Sequence, residues 1–281
     1  MLPTSITGQT RLLGVLADPV AQARSPGMAN TLLHEQNLFG EYVLVPLHVS
    51  AGGLPQVIDG LRHLRNFAGT IVSMPHKSTV VSLLDEISPE VSTVGAVNVI
   101  RRELDGRLLG AIFDGEGFVS GLWGAGYAVQ GKTCLLAGAG GAAAAVAFSL
   151  AKHGCTSLTI INRTKEKAVT LASRVQHTWP HLPIHTELSL EKAYDVAINA
   201  TSLGMHPGDA LPLPVEVVES SSLIAECVIA PEITPLLEIA RTKGRTIHTG
   251  VPMLAAQMDL MLRFMRAGNN RQTNKRLTRR L

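Results

Sequence analysis

A glycine-rich turn between an apolar run and an alanine-rich segment has the residue types needed to bind a phosphate group. The turn is Gly138-Ala139-Gly140-Gly141-Ala142, and the apolar run before it is Thr133-Cys134-Leu135-Leu136. Glycines at the amino end of a helix let backbone N–H groups approach a pyrophosphate closely. The order of strand, turn and helix that this mechanism requires is present. The sequence therefore predicts a dinucleotide site with this turn as its cofactor-binding segment.

The residues after the next predicted strand indicate which dinucleotide is bound. Enzymes that use NAD usually offer Asp or Glu there to accept a hydrogen bond from the ribose 2′-hydroxyl. This chain instead has Asn162, Arg163 and Thr164, followed by Lys165 and Lys167. Cationic side chains at this position, where no carboxylate is present, favour a ribose that carries a 2′-phosphate, so we expect NADP. The alternative is a structural glycine turn followed by a solvated basic loop.

Lys77 and Asp114 could supply the proton that a reduction needs. The lysine follows Met74-Pro75-His76 at the end of a predicted strand, and the aspartate ends another predicted strand. Ligand sites of open α/β sheets gather at strand ends. A reductase also needs an acid beside the oxygen on the carbon that accepts the hydride. We predict that both residues are catalytic; the alternative is that each is an ordinary exposed surface charge.

Short apolar runs that alternate with helical patterns must position these residues. The predicted strands are 12–16, 42–49, 70–74, 133–137, 157–161, 184–188, 196–200, 223–227 and 246–249, and 97–104 pairs with 107–112 around Asp105-Gly106, a dipeptide typical of hairpins. The predicted helices include 26–36, 54–64, 78–87, 115–122 and 252–265. Such alternation predicts an α/β fold with parallel sheets and helices on both faces.

The length and a weakly patterned segment predict two domains. The chain has 281 residues, more than one average domain needs, and Gly124–Gly131 contains several glycines. We expect an α/β domain over residues 1–122 and a Rossmann-type NADP-binding domain over 123–251. A C-terminal helix over 252–268 is expected to pack back near the first domain, and 269–281 forms a basic tail.

Composition excludes several classes of protein. Hydrophobic residues make up 46% of the chain and charged residues 17%, which is enough apolar material for a core. Cys134, Cys155 and Cys227 lack metal-ligand spacing, so we expect reduced cysteines, no metal and a cytoplasmic location. We see neither a signal peptide nor a run long enough to span a membrane. No aromatic residues interleave the charges of the tail, so we expect no nucleic-acid partner.

Further motifs occur in a fixed order along the chain. They are Asp18-Pro19-Val20 with Ser25-Pro26, Pro75-His76-Lys77, Gly95-Ala96-Val97-Asn98, Asp114-Gly115-Glu116-Gly117-Phe118, Asn199-Ala200-Thr201-Ser202-Leu203-Gly204-Met205, Thr234-Pro235-Leu236-Leu237, and Gly250-Val251-Pro252-Met253-Leu254 with Gln257. With the glycine turn and Asn162-Arg163-Thr164, they resemble the motifs of the shikimate dehydrogenase family over nearly the whole chain. The resemblance implies a two-domain α/β enzyme of the chorismate pathway that reduces 3-dehydroshikimate to shikimate with NADPH.

The resemblance also implies a role for each matching residue. Lys77 gives or takes the proton, while Asp114 orients Lys77 and binds the neighbouring hydroxyl. The implied substrate-binding residues are Ser25, Ser73, Asn98 and Gln257. The implied cofactor-binding residues are Gly138, Gly140, Gly141, Ala142, Asn162, Arg163, Thr164, Thr201, Met205 and Gly250. The expected partner is a small ring carboxylic acid, and the expected assembly is a monomer or a homodimer.

Several residues depart from the family motifs on the substrate side. The usual Ser-x-Ser-Pro has Ala23 in its first position, and the usual Asn-x-Thr before Pro-His-Lys has Ile71 and Ser73. The usual Asn-Thr-Asp-Gly begins with Ile112-Phe113, and a usual Tyr is Ile229. Losing a donor to a charged group costs about 1–3 kcal/mol, so several losses can change the preferred substrate.

Three functions therefore compete. The leading hypothesis is an NADP-dependent shikimate dehydrogenase. A second keeps the chemistry but acts on quinate or another ring acid, because the polar lining is altered. A third is a non-catalytic NADP(H) sensor, against which the presence of both Lys77 and Asp114 argues.

Overall fold

Two compact units make up the described part of the chain. The computed structural model describes residues 5–268, and the basic tail predicted at 269–281 lies outside them. The first unit comprises 5–113 and 258–268, and the second is Asp114–Gln257. Each contains one six-stranded sheet, so the predicted α/β class is confirmed. Between residues 5 and 268, we find no helix with the length and apolar character needed to cross a membrane.

The first unit contains a mixed sheet. Its strands are β1 (Arg11–Ala17), β2 (Tyr42–His48), β3 (Phe67–Val72), β4 (Glu86–Ile87), β5 (Val99–Arg102) and β6 (Leu108–Ala111). They lie in the order β2-β1-β3-β5-β6-β4, with β1 parallel to both neighbours and β5 antiparallel to both of its own. The antiparallel pair β5–β6 is the predicted hairpin, and it makes the sheet mixed rather than wholly parallel.

The helices of the first unit differ from the prediction at two points. They are α1 (Ser25–Glu35), α2 (Leu54–His63) and α3 (Pro89–Val94), with 3-10 helices at Ala51–Gly53 and Thr79–Leu83. The helix predicted at 78–87 is present only as the 3-10 helix over Thr79–Leu83, because the end of that segment pairs with β6: Asp85 N donates to Leu108 O at 3.1 Å. Helix α3 was missed, although Pro89 begins it and Gly95, at φ +73°, ends it.

The second unit contains a wholly parallel sheet. Its strands are β7 (Thr133–Ala137), β8 (Ser157–Ile161), β9 (Ile184–His185), β10 (Val196–Asn199), β11 (Leu223–Glu226) and β12 (Thr246–His248). Its helices are α4 (Asp114–Gly124), α5 (Gly141–Lys152), α6 (Lys165–Thr178), α7 (Val215–Ser220) and α8 (Pro235–Thr242), and α9 (Val251–Ala267) contributes residues to both units. All six predicted strands are confirmed, although β9 is shorter than expected.

The strand order of the second sheet fixes where a ligand can bind. The order is β12-β11-β10-β7-β8-β9, so the chain leaves β7 toward one edge and later returns beside β7 to build the other half. The central strands are nearly continuous apolar runs because both faces are covered: Leu135 and Ile198 are fully buried. Ligands of such sheets bind where the order reverses, at the carboxyl ends of β7 and β10.

Candidate functional site

The glycine turn lies at this reversal point. Gly138 follows β7 with φ +120°, a conformation that favours glycine. A Cβ atom on Gly138 would stand 2.7 Å from the carbonyl oxygen of Ala200, which follows β10. Ala200 N in turn donates to Ala137 O at 2.8 Å. Only glycine therefore lets the two strand ends approach this closely.

The amino end of α5 has the features of a phosphate site. Helix α5 begins at Gly141, and Gly140 precedes it without a side-chain hydrogen bond that caps the helix. The first N–H groups of a helix have no partner within it and carry the positive end of the helix dipole. The space around the Cβ position of Gly140 is open. The turn therefore fits the pyrophosphate of a dinucleotide.

The three residues predicted to recognise the ribose follow β8 directly. The Asn162 side chain donates to Thr164 O at 2.9 Å and so shapes this loop. Arg163 and Thr164 are exposed, and Thr164 is the residue before α6. A guanidinium group and a hydroxyl group at this position match a 2′-phosphate better than a 2′-hydroxyl.

The loop after β10 is organised by Asn199. Thr201 donates to Asn199 Oδ1 twice, from its backbone N at 3.0 Å and from its hydroxyl at 2.7 Å. Asn199 Nδ2 donates to Leu203 O at 3.0 Å, and Leu203 N donates to the Thr201 hydroxyl at 3.0 Å. Met205, one turn later, donates from its N to Ser202 O at 3.2 Å. Thr201 and Met205 thus lie on a loop of fixed shape beside the glycine turn.

A buried carboxyl group lies behind that loop. Glu226 ends β11, is fully buried, and accepts from Asn199 Nδ2 at 2.8 Å and from the Thr234 hydroxyl at 2.7 Å. Burial raises its pKa to about 7, although hydrogen bonds from Thr234, Asn199 and the Val228 backbone oppose the rise. The sequence analysis missed Glu226; a carboxylate at the end of the apolar run Leu223–Ala225 was the available signal.

Gly250 follows β12 and lies against the segment that follows β11. It is buried and directly precedes α9. A Cβ atom there would collide with the Val228 carbonyl oxygen, so this approach also requires glycine. The predicted cofactor residues of the second unit therefore surround the carboxyl ends of its central strands.

In the first unit, Ser73, Lys77 and Asn98 lie near the carboxyl end of β3. Ser73 N donates to Leu16 O at 2.8 Å, and Val72 N donates to Asn98 O at 2.8 Å. The Lys77 carbonyl accepts from Val97 N at 2.8 Å. Asn98 is buried, and its Oδ1 accepts from Phe113 N at 3.0 Å. Lys77 is half-buried in the turns that follow β3, as predicted, although β3 ends at Val72 rather than at the predicted Met74.

The remaining predicted residues begin or face helices. Ser25 is the first residue of α1. Asp114 does not end a strand as predicted; it begins α4 and is buried, where a carboxylate complements the helix dipole. In the second unit, a Cβ on Gly117 would stand 2.7 Å from Cβ of Gln257, so α4 and α9 pack closely there. Asp114 lies three residues before Gly117 and therefore on the same helix face as this crossing.

Three of the residues that depart from the family motifs pack against other side chains of the first unit. Ile71 and Ile112 are buried. Phe113 lies edge-on to Phe264, with ring centroids 5.7 Å apart, and Arg101 lies 4.8 Å from the Phe264 ring. Apolar side chains at these positions therefore gain packing where the family motif offers polar groups.

No group of three or more His, Cys, Asp or Glu side chains in the described ranges is arranged to hold a metal ion. Cys134 and Cys155 are buried and Cys227 is half-buried, and no disulfide bond joins any of these three cysteines.

Known proteins match both units. Residues 15–100 match the family model of the shikimate dehydrogenase substrate binding domain, and residues 125–206 match that of shikimate / quinate 5-dehydrogenase. A shikimate dehydrogenase (NADP(+)) of Rubrobacter xylanophilus is 38% identical over 256 residues, covering 90% of this chain and 89% of the relative.

Solved structures match over similar lengths. Shikimate 5-dehydrogenase from Thermus thermophilus, in complex with NADP(H) and shikimate, is 33% identical with a TM-score of 0.81, covering 91% of this chain and 93% of that one. Quinate dehydrogenase from Corynebacterium glutamicum, in complex with NAD, is 25% identical with a TM-score of 0.79 and the same coverage. This chain belongs to the shikimate dehydrogenase family.

Proposed function

We propose that this protein is an NADP-dependent oxidoreductase that interconverts 3-dehydroshikimate and shikimate. The observation that carries the proposal is its likeness, over nine tenths of the chain, to the Thermus enzyme that was crystallised with NADP(H) and shikimate. Lys77 and Asp114, the two residues that chemical reasoning assigns to proton transfer, both occur in this chain. We also propose that the protein works in the cytoplasm, as a monomer or a homodimer.

The side chains of this protein bind the ring and handle the proton. NADPH supplies the hydride when it is bound. Lys77 donates a proton to the oxygen of the ring carbon that is reduced, and in the reverse direction it accepts that proton. Asp114, buried at the start of α4, accepts a hydrogen bond from the neighbouring ring hydroxyl. The side chains proposed to hold the other ring substituents are Ser25, Ser73, Asn98 and Gln257.

The second unit supplies the cofactor site in this proposal. The N–H groups that begin α5 bind the pyrophosphate, and Arg163 with Asn162 and Thr164 binds the 2′-phosphate. The remaining contacts come from Gly138, Gly140, Gly141, Ala142, Thr201, Met205 and Gly250. Preference for NADP follows because a guanidinium group makes strong charge-assisted hydrogen bonds with a phosphate.

Steady-state kinetics with purified protein test the proposal. The rate of NADPH oxidation is measured with 3-dehydroshikimate, and the reverse rate with shikimate and with quinate. The proposal expects turnover in both directions and a higher kcat/KM for shikimate than for quinate. A higher kcat/KM for quinate would instead identify a quinate dehydrogenase. NADPH binding without turnover of any ring acid would identify a sensor.

A further inference from the structure

Three buried side chains behind the cofactor loop form a hydrogen-bonded network. Asn199 and Glu226 are fully buried, and Thr234 is 1% exposed. They come from the ends of β10 and β11 and from the residue that caps α8. Burying a carboxyl group is costly unless it is hydrogen-bonded, as Glu226 is here. None of the three groups has a part in proton or hydride transfer as proposed above.

Asn199 uses its full hydrogen-bonding capacity in this network. A side-chain amide can accept two hydrogen bonds and donate two. The oxygen accepts both from Thr201, and the nitrogen donates one to Leu203 O and one to Glu226. Glu226 therefore fixes which way the amide faces, and the amide fixes the turn from Thr201 to Leu203.

The groups around Glu226 call for hydrogen-bond acceptors at this position. The Thr234 hydroxyl accepts from Leu237 N at 3.3 Å, which leaves its proton for Glu226. Within residues 5–268, the hydrogen-bond partners of the Glu226 carboxyl group are therefore donors: the Asn199 amide, the Thr234 hydroxyl and the Val228 backbone N–H. When Glu226 is ionised, at a pH above its raised pKa of about 7, both of its oxygens accept; an amide in its place would turn an N–H₂ group toward one of these donors and lose a hydrogen bond.

Glu226 is also linked to the loops on either side of the cofactor residues. The backbone of Val228, which donates to Glu226, lies against Gly250. Gly204, at φ +98°, would place a Cβ 3.2 Å from Cβ of Thr234. The same network thus borders the segment from Thr201 to Met205 and the residue before α9.

We propose that Glu226 is a positioning residue for the dinucleotide: its carboxyl group orients Asn199 and thereby holds the Thr201–Leu203 turn in the shape that binds NADP(H). Glu226 does not touch the cofactor itself. The inference rests on the proposed function, because it assigns Thr201 and Met205 to the cofactor site.

The test measures the binding of NADPH to the purified full chain, with the change in NADPH fluorescence as the readout. Glu226→Gln should raise the Kd for NADPH about tenfold, because one buried hydrogen bond of the network is lost. Thr234→Ser keeps the hydroxyl and should bind NADPH like the unmodified protein, whereas Thr234→Val removes the donor and should weaken binding. If Glu226→Gln does not fold, the two Thr234 variants decide the question.

Asp195→Asn is the matched control. Asp195 also accepts from a threonine, Thr133, through its N at 2.8 Å and its hydroxyl at 2.9 Å, but it lies at the amino ends of the strands. The Kd of the Asp195→Asn variant for NADPH should equal that of the unmodified protein. Unchanged affinity in folded Glu226→Gln, or an equal loss in Asp195→Asn, would overturn the inference. If the unmodified protein does not bind NADPH, the proposed function itself fails, which is a distinct result.

Discussion

The two units reach their candidate binding residues by different means. In the second unit, the strand ends approach so closely that Gly138 and Gly250 cannot carry a Cβ, and Asn199 fixes the next loop through its side chain. In the first unit, Lys77, Ser73 and Asn98 are held at one edge by backbone hydrogen bonds. In the proposed assignment, close backbone approaches and helix N–H groups would form much of the cofactor site, whereas separate side chains would contact the ring substrate.

This difference predicts that the first unit tolerates substitution at its candidate site better than the second. A site made of N–H groups and close-packed glycines allows little change of residue type, and the second unit contains every motif residue expected for NADP. A site made of separate side chains can lose one polar group at a time, and Ile71, Ile112 and Phe113 show such replacements. The cofactor is therefore easier to predict from this sequence than the ring acid.

Replacing Lys77 should have the largest effect and should distinguish the role of the first unit from that of the second. Lys77→Ala should lower kcat by about 10²- to 10⁴-fold, the usual contribution of a positioned acid. The Kd for NADPH should stay the same, because the proposed cofactor site belongs to the second unit. Lys152→Ala, which breaks an exposed ion pair with Glu116, is the control and should keep full turnover. Turnover that survives in Lys77→Ala would remove the residue from the mechanism.

Glu226 and Asp195 lie at opposite ends of the strands of the second sheet, and their contributions to the free energy of unfolding should change with pH in opposite directions. Burial raises the pKa of Glu226 from 4.5 to about 7, so the folded state holds its proton more tightly than the unfolded state. Its contribution to stability is present below pH 4.5 and is lost as the pH rises to about 7, by up to about 3 kcal/mol. Hydrogen bonds from the Thr133 backbone lower the pKa of Asp195, so its contribution is lost as the pH falls.

Urea unfolding at a series of pH values measures both effects. The difference in free energy of unfolding between the unmodified protein and Glu226→Gln should shrink or reverse as the pH rises from about 4.5 to about 7. The difference for Asp195→Asn should instead grow from acidic to neutral pH. A difference for Glu226→Gln that does not vary with pH would mean that the carboxyl group keeps its ordinary pKa.

Replacing Arg163 sharpens the prediction of the cofactor. Arg163→Ala should raise the Kd for NADPH about 10- to 100-fold, since a hydrogen-bonded charge pair with the 2′-phosphate is lost. Binding of NADH, which lacks that phosphate, is the internal control and should change little. Equal losses for both dinucleotides would place Arg163 in the general architecture of the loop instead.

The smallest expected effect concerns Phe113. If its ring serves packing against Phe264, Phe113→Leu should reduce the free energy of unfolding by about 1 kcal/mol. The kcat/KM for shikimate should then stay unchanged, because the ring does not bind the substrate. A large fall in kcat/KM without loss of stability would show that Phe113 belongs to the substrate site.

The sequence was sufficient to predict the parallel second sheet, the β5–β6 hairpin and the glycine turn. Each depends on local patterns: continuous apolar runs, Asp105-Gly106, and glycines between a strand and a helix. The end of the segment 78–87 is not helical as predicted, because its pairing with β6, a contact distant in sequence, overrides the local helical pattern. Asp114 was placed on a strand because the apolar run before it continues up to the first residue of α4.

The network around Glu226 could not be predicted because it depends on register. Asn199 and Glu226 are partners only because β10 and β11 pair in the register that sets them side by side. Thr234 reaches them because α8 begins just beyond. A sequence pattern identifies Glu226 as an unusual acid in an apolar run, but it does not show which donors satisfy it.

The most direct test of the account is to measure kcat/KM for shikimate and quinate, each with NADP and with NAD, on one preparation of the full chain. The account predicts that the unmodified protein has its highest kcat/KM for shikimate with NADP. It also predicts that Lys77→Ala lowers kcat/KM for every pair of substrate and cofactor. A higher value for quinate with NAD, or no turnover with any combination, would contradict it.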